Sequence, residues 1–459
     1  MDDDTIAALS TPPGRGGIGI VRISGKNTIT ILSKIIEKLP EPVVPRRAYH
    51  SFIVEKAERI DECIVVFYKG FNSYTGEDLA EISIHSNPFI IEEVLKLIFR
   101  NNARSALPGE FTYRAFKNGK IDLIQAESVN QLINANSRYF ASIQFDGIDG
   151  RLSGLIRKLR ENILELGIRI ETVIEFEEDQ YLRKISLSEK LDETCRILEH
   201  ILSHATLNET LNRGIEVVIM GKVNVGKSSL FNTILMEDRA IISTTPGTTR
   251  DFIKEKVYVD GFPFDIFDIA GIHTGATDEV ERQGIMRGYE KVKTSEAVIF
   301  MLDASETLDK SDFEIYEHIK NKNKIMVANK IDIVDPVVLD SIKSSFKGED
   351  IFAISAKKNQ NIDVIFSFFK RLAQSLQDKQ FLFSFNQRQK RLFQELEQRL
   401  NHLKELVITK RVKSNAVYHN AEIIAEEIRH AFDIIGQLTG EVSTQEVLEG
   451  IFAQFCVGK

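Results

Sequence analysis

Residues 215–228 read IEVVIMGKVNVGKS, and this stretch decides the fold of the region around it. A run rich in β-branched residues, typical of a buried strand, leads into a loop of the form G-x-x-x-x-G-K-S, and an apolar helical segment follows. Backbone N–H groups of such a loop and the N-terminus of the helix bind phosphate oxygens. We therefore predict a P-loop in which Lys227 contacts the β- and γ-phosphates and Ser228 ligates Mg²⁺.

Three motifs downstream of the loop indicate which nucleotide binds. DIAG (268–271) ends a strand with an aspartate that can reach Mg²⁺ through water, and NKID (329–332) ends a later strand. Asp332 can accept hydrogen bonds from guanine N1–H and the 2-amino group, a donor pair that adenine lacks. SAK (355–357) adds backbone donors near guanine O6. The order and spacing of these motifs predict a GTPase.

The position after DIAG departs from the Ras pattern. PGTTRD (246–251) contains Thr249, the expected switch threonine that binds Mg²⁺. Ras-type enzymes carry a water-orienting glutamine directly after the DIAG-like motif, and here that residue is Ile272. Because an aliphatic side chain cannot orient water, we predict that another residue does so. A group other than an arginine finger can then supply the positive charge.

Hydrophobic periodicity divides the chain into regions of different structure. Strand-like runs at 18–24, 63–70 and 81–86, together with helical patterns at 28–39 and 88–100, indicate an α+β unit. Apolar residues spaced by three and four then predict helices on both sides of an alternating strand–helix region. Within that region we expect parallel strands at 215–220, 297–303, 324–329 and 351–355, and a hairpin turn at Asp260-Gly261.

The predicted fold class is an α+β N-terminal domain, an all-α helical-bundle domain and an inserted α/β P-loop (Ras-like) GTPase domain. The boundaries are 1–120 for the N-terminal domain, 121–213 for the first helical segment, 214–377 for the G domain, and 378–459 for the second helical segment with its terminal CVGK. A domain can be inserted in this way when its two ends lie close together.

Composition is that of an ordinary cytoplasmic protein. The chain has 459 residues, of which 43% are hydrophobic and 27% are charged. Its net charge of −8 is not that of a protein that binds nucleic acid over its whole surface, and it leaves a local basic face open. Its three cysteines are widely spaced and odd in number, so we expect a reducing compartment rather than a disulfide framework. No apolar run approaches the ~18 residues of a membrane span.

Motifs in all three regions carry a family resemblance. They are TPPGRGGIGIVRISG near the start, YTGED (74–78), PGEFTYRAFKNGKIDL (108–123), the P-loop with Asn224, GTTRD, VERQGI (280–285) and the terminal CVGK. Together they make the chain similar to the MnmE (TrmE) family of tRNA-modification GTPases, over essentially its whole length. The flanking motifs make the match specific, because a G domain alone is shared with many families.

The resemblance implies an activity, cofactors and partners. Such proteins act with MnmG, an FAD- and NADH-using protein, in a heterotetramer or larger complex. Together they install an aminomethyl or carboxymethylaminomethyl group on C5 of the wobble uridine, position 34, of certain tRNAs. The one-carbon unit comes from 5-formyltetrahydrofolate or 5,10-methylenetetrahydrofolate on the N-terminal domain, through which the protein forms a homodimer. GTP, Mg²⁺ and K⁺ serve the G domain, and K⁺ stimulates hydrolysis.

The resemblance also assigns the nucleotide site. It puts K⁺ on Asn224, Ser243, Thr245 and Thr248, with Mg²⁺ on Ser228 and Thr249. The catalytic acid that orients water falls on Glu281, with Glu279 as the alternative because the preceding stretch is one residue longer than in relatives. The full set of predicted nucleotide-binding residues is Asn224, Val225, Gly226, Lys227, Ser228, Ser229, Ser243, Thr244, Thr245, Pro246, Gly247, Thr248, Thr249, Asp268, Ile269, Ala270, Gly271, Asn329, Lys330, Asp332, Ser355, Ala356 and Lys357.

The folate residues implied are Arg22, Glu81, Lys120 and Lys459. Folate carries carboxylates, which suit Arg and Lys, and a 2-aminopterin ring whose N–H donors suit a carboxylate. HSNP (85–88) stands where the family has HGGP, and the loss of both glycines could change how closely the backbone approaches the ligand.

The terminal residues are therefore expected to be ordered, with the last helix delivering Lys459 towards the folate pocket. Cys456 has two interpretations, a small buried hydrophobic residue or a reactive group near the one-carbon chemistry.

Two other classes of GTPase remain as alternatives. An RNA-binding ribosome-assembly GTPase without folate chemistry should carry a basic or KH-like RNA module, and the sequence has none. A mechanical, dynamin-like GTPase needs a basic amphipathic face or a lipid-inserting loop, whereas the helices here are mixed in charge. Folate binding by the purified protein discriminates the tRNA-modification function from both.

Overall fold

The structure of the protein is a computed structural model that describes residues 4–176, 187–236, 241–242, 253–269, 288–334, 336–377, 381–408 and 421–459. The chain forms two compact units. The first comprises 1–133, 144–203 and 387–459, and the second comprises 134–143 and 204–386. The predicted combination of an α+β region, a helical bundle and an α/β region is confirmed. The exact boundaries of the four predicted segments stay a prediction.

The bounds of the regular elements follow. The strands are β1 Thr5–Leu9, β2 Gly16–Ser24, β3 Ala48–Glu55, β4 Glu58–Tyr68, β5 Leu79–Ser86, β6 Ala103–Ser105, β7 Ala205–Leu207, β8 Ile215–Gly221, β9 Ile241–Ile242, β10 Ile253–Val259, β11 Phe262–Asp268, β12 Ala297–Asp303, β13 Asn323–Asn329, β14 Ile351–Ala353 and β15 Phe383–Phe385. The helices are α1 Thr28–Ile35, α2 Pro88–Arg100, α3 Glu110–Lys117, α4 Leu123–Ile133, α5 Arg138–Ile148, α6 Arg151–Phe176, α7 Leu187–Ser203, α8 Asn208–Asn212, α9 Lys227–Met236, α10 Lys310–Ile319, α11 Pro336–Ser345, α12 Asp363–Gln377, α13 Gln387–Ile408, α14 Ala421–Thr439 and α15 Gln445–Phe452. No helix in the described ranges is long and apolar enough to cross a membrane.

The N-terminal region is a six-stranded mixed sheet in the order β3-β4-β5-β2-β1-β6. All neighbouring strands are antiparallel except β1 and β6, which are parallel. Helix α1 ends at Ile35, four residues before the predicted end, because Ile36 instead forms a bridge with Ile53 of β3. The sheet and the helices α1 and α2 share one apolar core.

The helical region is built on the predicted apolar stripes. The side chains of α6 at Leu152, Ile156, Leu159, Ile163, Leu166 and Ile170 are buried. Helix α6 packs against α7 and α14, and α13 packs against the same two helices. The stripe residues of α13 are also buried, so the spacing of three and four identified the bundle core correctly.

The second unit contains a seven-stranded sheet in the order β14-β13-β12-β8-β11-β10-β9. The strands from β14 to β11 are parallel, and β10 is antiparallel to β11. Asp260 and Gly261 form the hairpin turn with φ of 51° and 81°, as the Asp-Gly pair predicts. Strands β8 and β12 are buried on both faces, and their carboxyl ends lie at one edge of the sheet. This is the edge where α/β proteins bind ligands.

A short parallel pair joins the two ends of the inserted region. Strand β7, at the start of this region, pairs with β15 at its end, with Ala205 opposite Phe383 and Leu207 opposite Phe385. Leu382 N and Phe383 N also donate to His204 O at 2.9 and 3.1 Å. The ends of the insertion are therefore side by side, as the insertion hypothesis requires.

Candidate functional site

The P-loop lies between the end of β8 and the start of α9, as the sequence predicts. Gly226 adopts φ of 102°, and a Cβ added there would lie 2.3 Å from Asn329 Nδ2. Only glycine fits this position without moving a buried side chain. Asn224 is also left-handed, with φ of 62°, a conformation that Asn tolerates better than most residues. The loop geometry thus depends on these two residue types.

Lys227 is almost fully buried, with 6% of its surface exposed. Its Nζ donates to Gly221 O at 3.1 Å and to Lys222 O at 2.8 Å. Burial lowers the pKa of Lys227 to about 8, although attraction to Asp268 acts in the opposite direction. The two carbonyl oxygens are neutral, so they compensate the charge of this ammonium only in part. Phosphate oxygens would give it a negatively charged partner.

Ser228 and Asp268 face each other across the loop. Ser228 Oγ donates to Asp268 Oδ2 at 2.7 Å. A hydroxyl and a carboxylate oxygen are the donors that Mg²⁺ prefers, so the residues fit the predicted metal. A cavity of about 380 Å³ opens here, lined by Val223, Asn224, Gly226, Lys227, Ser228, Ser229, Asp268 and Ile269.

Asn329 connects the phosphate loop to the base-binding motifs. It is buried, its Nδ2 donates to Val225 O at 2.7 Å, and its Oδ1 accepts from Ala356 N at 2.9 Å. One amide therefore fixes the P-loop and the SAK motif relative to each other. Sequence reasoning assigned Asn329 to the nucleotide site but did not predict this bridging role.

Asp332 is exposed and oriented by a neighbour. Ser355 Oγ donates to Asp332 Oδ1 at 2.7 Å, and this hydrogen bond is the main cause that lowers the pKa of the carboxyl. The group is therefore ionised at neutral pH, as an acceptor for guanine must be. Lys357, the last residue of SAK, is exposed near this carboxylate and also lowers its pKa.

Asp303 is a residue that sequence reasoning missed. Its Oδ2 lies 2.5 Å from Lys330 Nζ, and its Oδ1 accepts from Ser305 Oγ at 2.6 Å. Burial raises the pKa of Asp303, but these hydrogen bonds lower it overall. The signal was available, because AVIFMLD ends at Asp303 on the same sheet edge as the other motifs.

The remaining predicted nucleotide and cation residues lie outside the described residues. They are Ser243, Thr244, Thr245, Pro246, Gly247, Thr248, Thr249, Ala270, Gly271, and Glu281 with its alternative Glu279.

Two of the predicted folate residues form a cross-strand pair. Arg22 on β2 is directly opposite Glu81 on β5, and the Arg22 NH2 group is 2.7 Å from Glu81 Oε1. The guanidinium also lies over the rings of Tyr74 and Phe111, with centroids at 5.4 and 5.6 Å. The arginine is therefore held between a carboxylate and two aromatic faces.

The C-terminal residues dock onto the N-terminal region, as expected. Phe111 N donates to Lys459 O at 3.2 Å, and Gly109 N donates to Cys456 O at 3.3 Å. The Gly458 carbonyl accepts from Ser10 Oγ at 3.1 Å and from an Arg22 N–H at 3.4 Å.

Lys459 thereby comes close to the Arg22–Glu81 pair. Burial lowers the pKa of Lys459, and the nearby Arg22 guanidinium lowers it further. Two cationic side chains and one carboxylate are thus gathered in one place. Their role as folate ligands stays a prediction.

Lys120 makes its contacts with a different residue. Its Nζ donates to Phe71 O at 2.7 Å and lies 4.4 Å from the centre of the Phe71 ring. Cys456 is exposed, so the interpretation as a buried hydrophobic residue is wrong. The terminal turn is held by backbone carbonyls and by Phe455, which is buried, and the thiol is left on the surface.

The HSNP departure has a local structural role. Asn87 is the N-cap of α2 and its side chain accepts from Phe89 N at 2.9 Å, while Ser86 Oγ donates to Gly14 O at 2.9 Å. Ser86 and Asn87 therefore form side-chain hydrogen bonds at two positions where the glycines of the family pattern could form none.

Several motif residues in the N-terminal region form an ion network. Arg114 pairs with Glu77 at 3.0 Å, with Glu110 at 3.1 Å and with Asp4 at 2.7 Å, and Arg104 pairs with Glu110 at 2.5 Å. YTGED and PGEFTYRAF thus contribute Glu77, Glu110 and Arg114 to structure. Sequence reasoning used these motifs only to identify a family.

Known sequence families and proteins match the chain along nearly its whole length. The sequence model described as "GTP-binding protein TrmE N-terminus" matches residues 5–120, and the one described as "MnmE helical domain" matches residues 123–456. The tRNA modification GTPase MnmE of Aquifex aeolicus is 37% identical, covering 99% of this chain and 100% of that protein. Its counterpart in Clostridioides difficile is 34% identical, covering 100% of this chain and 99% of that protein.

Solved structures include Era of Aquifex aeolicus bound to GDP.AlF4⁻. It is 31% identical with a TM-score of 0.30, and covers 34% of this chain and 56% of that chain. The sequence relatives, by contrast, align along nearly the whole chain, and both family models match it. The chain therefore belongs to the MnmE family of tRNA modification GTPases.

Proposed function

We propose that this chain hydrolyses GTP and, with an MnmG-type FAD/NADH flavoprotein, installs an aminomethyl or carboxymethylaminomethyl group at C5 of the wobble uridine of certain tRNAs. The one-carbon unit comes from 5-formyltetrahydrofolate or 5,10-methylenetetrahydrofolate. The observation that carries this proposal is the docking of the C-terminal residues beside Arg22 and Glu81. A GTPase without folate chemistry has no need for a chain end that brings a lysine to this pair.

The chemistry of the P-loop supports GTP hydrolysis. The Lys227 ammonium exchanges its carbonyl partners for phosphate oxygens, and its charge stabilises the negative charge that develops during phosphoryl transfer. Ser228 and Thr249 would hold Mg²⁺, and Asp268 would reach it through water. The ion supplies further charge neutralisation on the phosphates when bound. We assign the orientation of the attacking water to Glu281, because Ile272 cannot perform it.

The charges near the chain end support folate as the ligand. Arg22 and Lys459 offer cations to a ligand carboxylate, and their mutual repulsion would be relieved by an anion between them. The two hydrogen bonds that Arg22 donates to Glu81 both go to Oε1, at 3.2 and 2.7 Å. The Glu81 carboxylate is thus oriented as an acceptor for an aminopterin ring. Lys120, which contacts the exposed Phe71 ring, is the proposed fourth residue of this site.

The partners follow from the same reaction. We propose that the protein acts as a homodimer through residues 1–120, that it forms a heterotetramer or larger complex with the flavoprotein, and that tRNA is the substrate. A tRNA substrate together with unpaired cysteines indicates the cytoplasm as the site of action.

Deleting the gene in the source organism tests the proposal. We expect the modified uridine at position 34 to disappear from tRNA digests analysed by mass spectrometry, and to return with the wild-type gene. Unchanged wobble uridine combined with defective ribosome assembly would favour the alternative, an RNA-binding assembly GTPase.

Potassium should stimulate hydrolysis through Asn224. We expect GTP turnover in K⁺ to exceed that in Na⁺ by about tenfold, because a cation near the β–γ bridge supplies the charge of an arginine finger. The Asn224 side-chain oxygen and the proposed ligands Ser243, Thr245 and Thr248 suit this larger ion. Equal rates in the two salts, measured by phosphate release, would contradict the prediction.

The backbone at Asn224 determines the best control. Because its φ is 62°, Asn224→Ala removes the side-chain oxygen and also adds backbone strain. Asn224→Gly removes the same oxygen without strain. We expect both variants to lose the K⁺ response, and the glycine variant to keep nucleotide affinity nearer the wild type. A glycine variant that still responds to K⁺ would exclude Asn224 as a ligand.

A further inference from the structure

The P-loop is attached to a neighbouring helix through a lysine that the motif does not specify. Lys222, the first variable residue of GKVNVGKS, has a side chain that is only 13% exposed. Its Nζ lies 2.9 Å from Asp309 Oδ2 and 2.9 Å from Asp312 Oδ2. One ammonium therefore bridges two carboxylates at the N-terminus of α10.

The two carboxylates are themselves fixed by the helix. Asp309 is the N-cap of α10, and its Oδ1 accepts from Ser311 N at 2.8 Å. Asp312 closes the capping box, because its Oδ2 accepts from Asp309 N at 3.0 Å. The Asp312 side chain is 2% exposed, so its charge requires a buried partner, and Lys222 is that partner.

The backbone of Lys222 acts on the phosphate site directly. Lys222 O accepts from Lys227 Nζ at 2.8 Å, and the adjacent Gly221 O accepts from the same ammonium at 3.1 Å. Lys222 therefore has two roles. Its carbonyl holds the Lys227 ammonium, and its side chain is anchored to α10. Gly226, on the other side of the loop, has no side chain with which to anchor it.

We propose that Lys222 is a positioning residue for GTP binding, which fixes the first turn of the P-loop to the capping box of α10 and thereby sets the position of Lys227. Burial alone would lower the pKa of Lys222, but hydrogen bonds with Asp312 and Asp309 raise it overall, so the anchor is charged at neutral pH. The inference rests on the proposed GTP hydrolysis.

The anchor acts on binding more than on the chemical step. Before a nucleotide binds, the anchor holds the loop carbonyls and Lys227 in the arrangement that receives the phosphates. Once GTP is bound, phosphate oxygens and Mg²⁺ fix the same loop, and the anchor contributes less. Loss of the anchor should therefore raise KM and the nucleotide Kd, and leave kcat nearly unchanged.

The test uses the full chain with Lys222→Met, which keeps the length of the side chain and removes its charge. We expect the Kd for a fluorescent GTP analogue and the KM for GTP to rise about tenfold, as loss of a positioning contact allows, while kcat changes by less than about threefold. Lys222→Arg, which keeps the charge, should restore Kd to within about twofold of the wild type.

A matched control separates positioning from general stability. Lys324 is also a nearly buried lysine of the second unit, 9% exposed, and pairs with Glu349 at 2.8 Å. Lys324→Met should lower the melting temperature as Lys222→Met does, but leave the Kd for GTP unchanged. Wild-type Kd and KM in a folded Lys222→Met protein would overturn the inference.

A second variant covers the case in which Lys222→Met does not fold. Asp312→Asn keeps the shape of the side chain and the acceptor for Asp309 N, but removes the charge that holds Lys222. We expect its Kd for GTP to rise about threefold, the smaller effect because Asp309 still contacts Lys222. An Asp312→Asn protein that is folded and has wild-type Kd would also overturn the inference. Failure of the wild-type chain to bind GTP would instead refute the proposed function.

Discussion

Asp332→Asn should lower the affinity for GTP about 100-fold, because two charge-assisted hydrogen bonds to guanine are lost. The Ser355 hydroxyl can still donate to the amide oxygen, as it does to Asp332 Oδ1 at 2.7 Å. The new NH₂ group would then face the base, where it repels the guanine donors and suits the C2 carbonyl of xanthine. We expect xanthosine triphosphate to bind the variant better than GTP does, as measured by competition titration.

The control for this variant is the same substitution, Asp to Asn, at an exposed position of the second unit. Asp340 is an exposed carboxylate on α11, and Asp340→Asn removes one negative charge without touching the predicted base site. Its affinities for GTP and xanthosine triphosphate should be those of the wild type. Unchanged GTP affinity in Asp332→Asn would remove NKID from the base site.

Gly458→Ala should undock the C-terminal residues and weaken folate binding about 10- to 100-fold, the effect of losing a charge-assisted hydrogen bond from Lys459. Gly458 has φ of 91°, and a Cβ there would lie 2.1 Å from the carbonyl oxygen of Leu9. Because backbone blocks the methyl group, the turn must move and take Lys459 with it. Titration calorimetry with 5-formyltetrahydrofolate measures the loss, and mass spectrometry of tRNA should detect less modified wobble uridine.

The matched control is another glycine of the same terminal segment. Gly450 lies within α15, and a Cβ added there meets no atom within 4 Å, so Gly450→Ala should leave folate affinity unchanged. Deleting Cys456–Lys459 should reproduce the Gly458→Ala effect and keep GTP hydrolysis near the wild-type rate, because the nucleotide motifs belong to the other unit. A Gly458→Ala protein with wild-type folate affinity would mean that the docked terminus contributes nothing to the ligand.

In the N-terminal region, residues that identify the family by sequence have a structural role in the fold. Glu77 and Arg114 identify the family by sequence, yet in the structure they pair with each other at 3.0 Å. Arg114 is 6% exposed, so its charge must be compensated inside the fold. A family signature can therefore mark a partly buried ion pair, here between α3 and the loop that precedes β5, as readily as it marks a ligand.

The sequence by itself determined the elements whose causes are local. The P-loop follows from a β-branched run and two glycines, the hairpin from Asp260-Gly261, and the bundle from apolar spacing along each helix. The motif order also determined guanine as the base. These features need only neighbouring residues, so the sequence alone predicts them.

The tertiary structure decided the elements whose causes lie far apart in the chain. Strand β1 reads TIAAL, in which two alanines interrupt the strand signal of Thr5 and Ile6, and β2 and β6 satisfy its hydrogen bonds on both sides. Lys459 meets Arg22, and Lys222 meets Asp312, only after the chain has folded. Burial of charge and pairing of backbone groups select such contacts over the whole molecule, and no local pattern of residues encodes them.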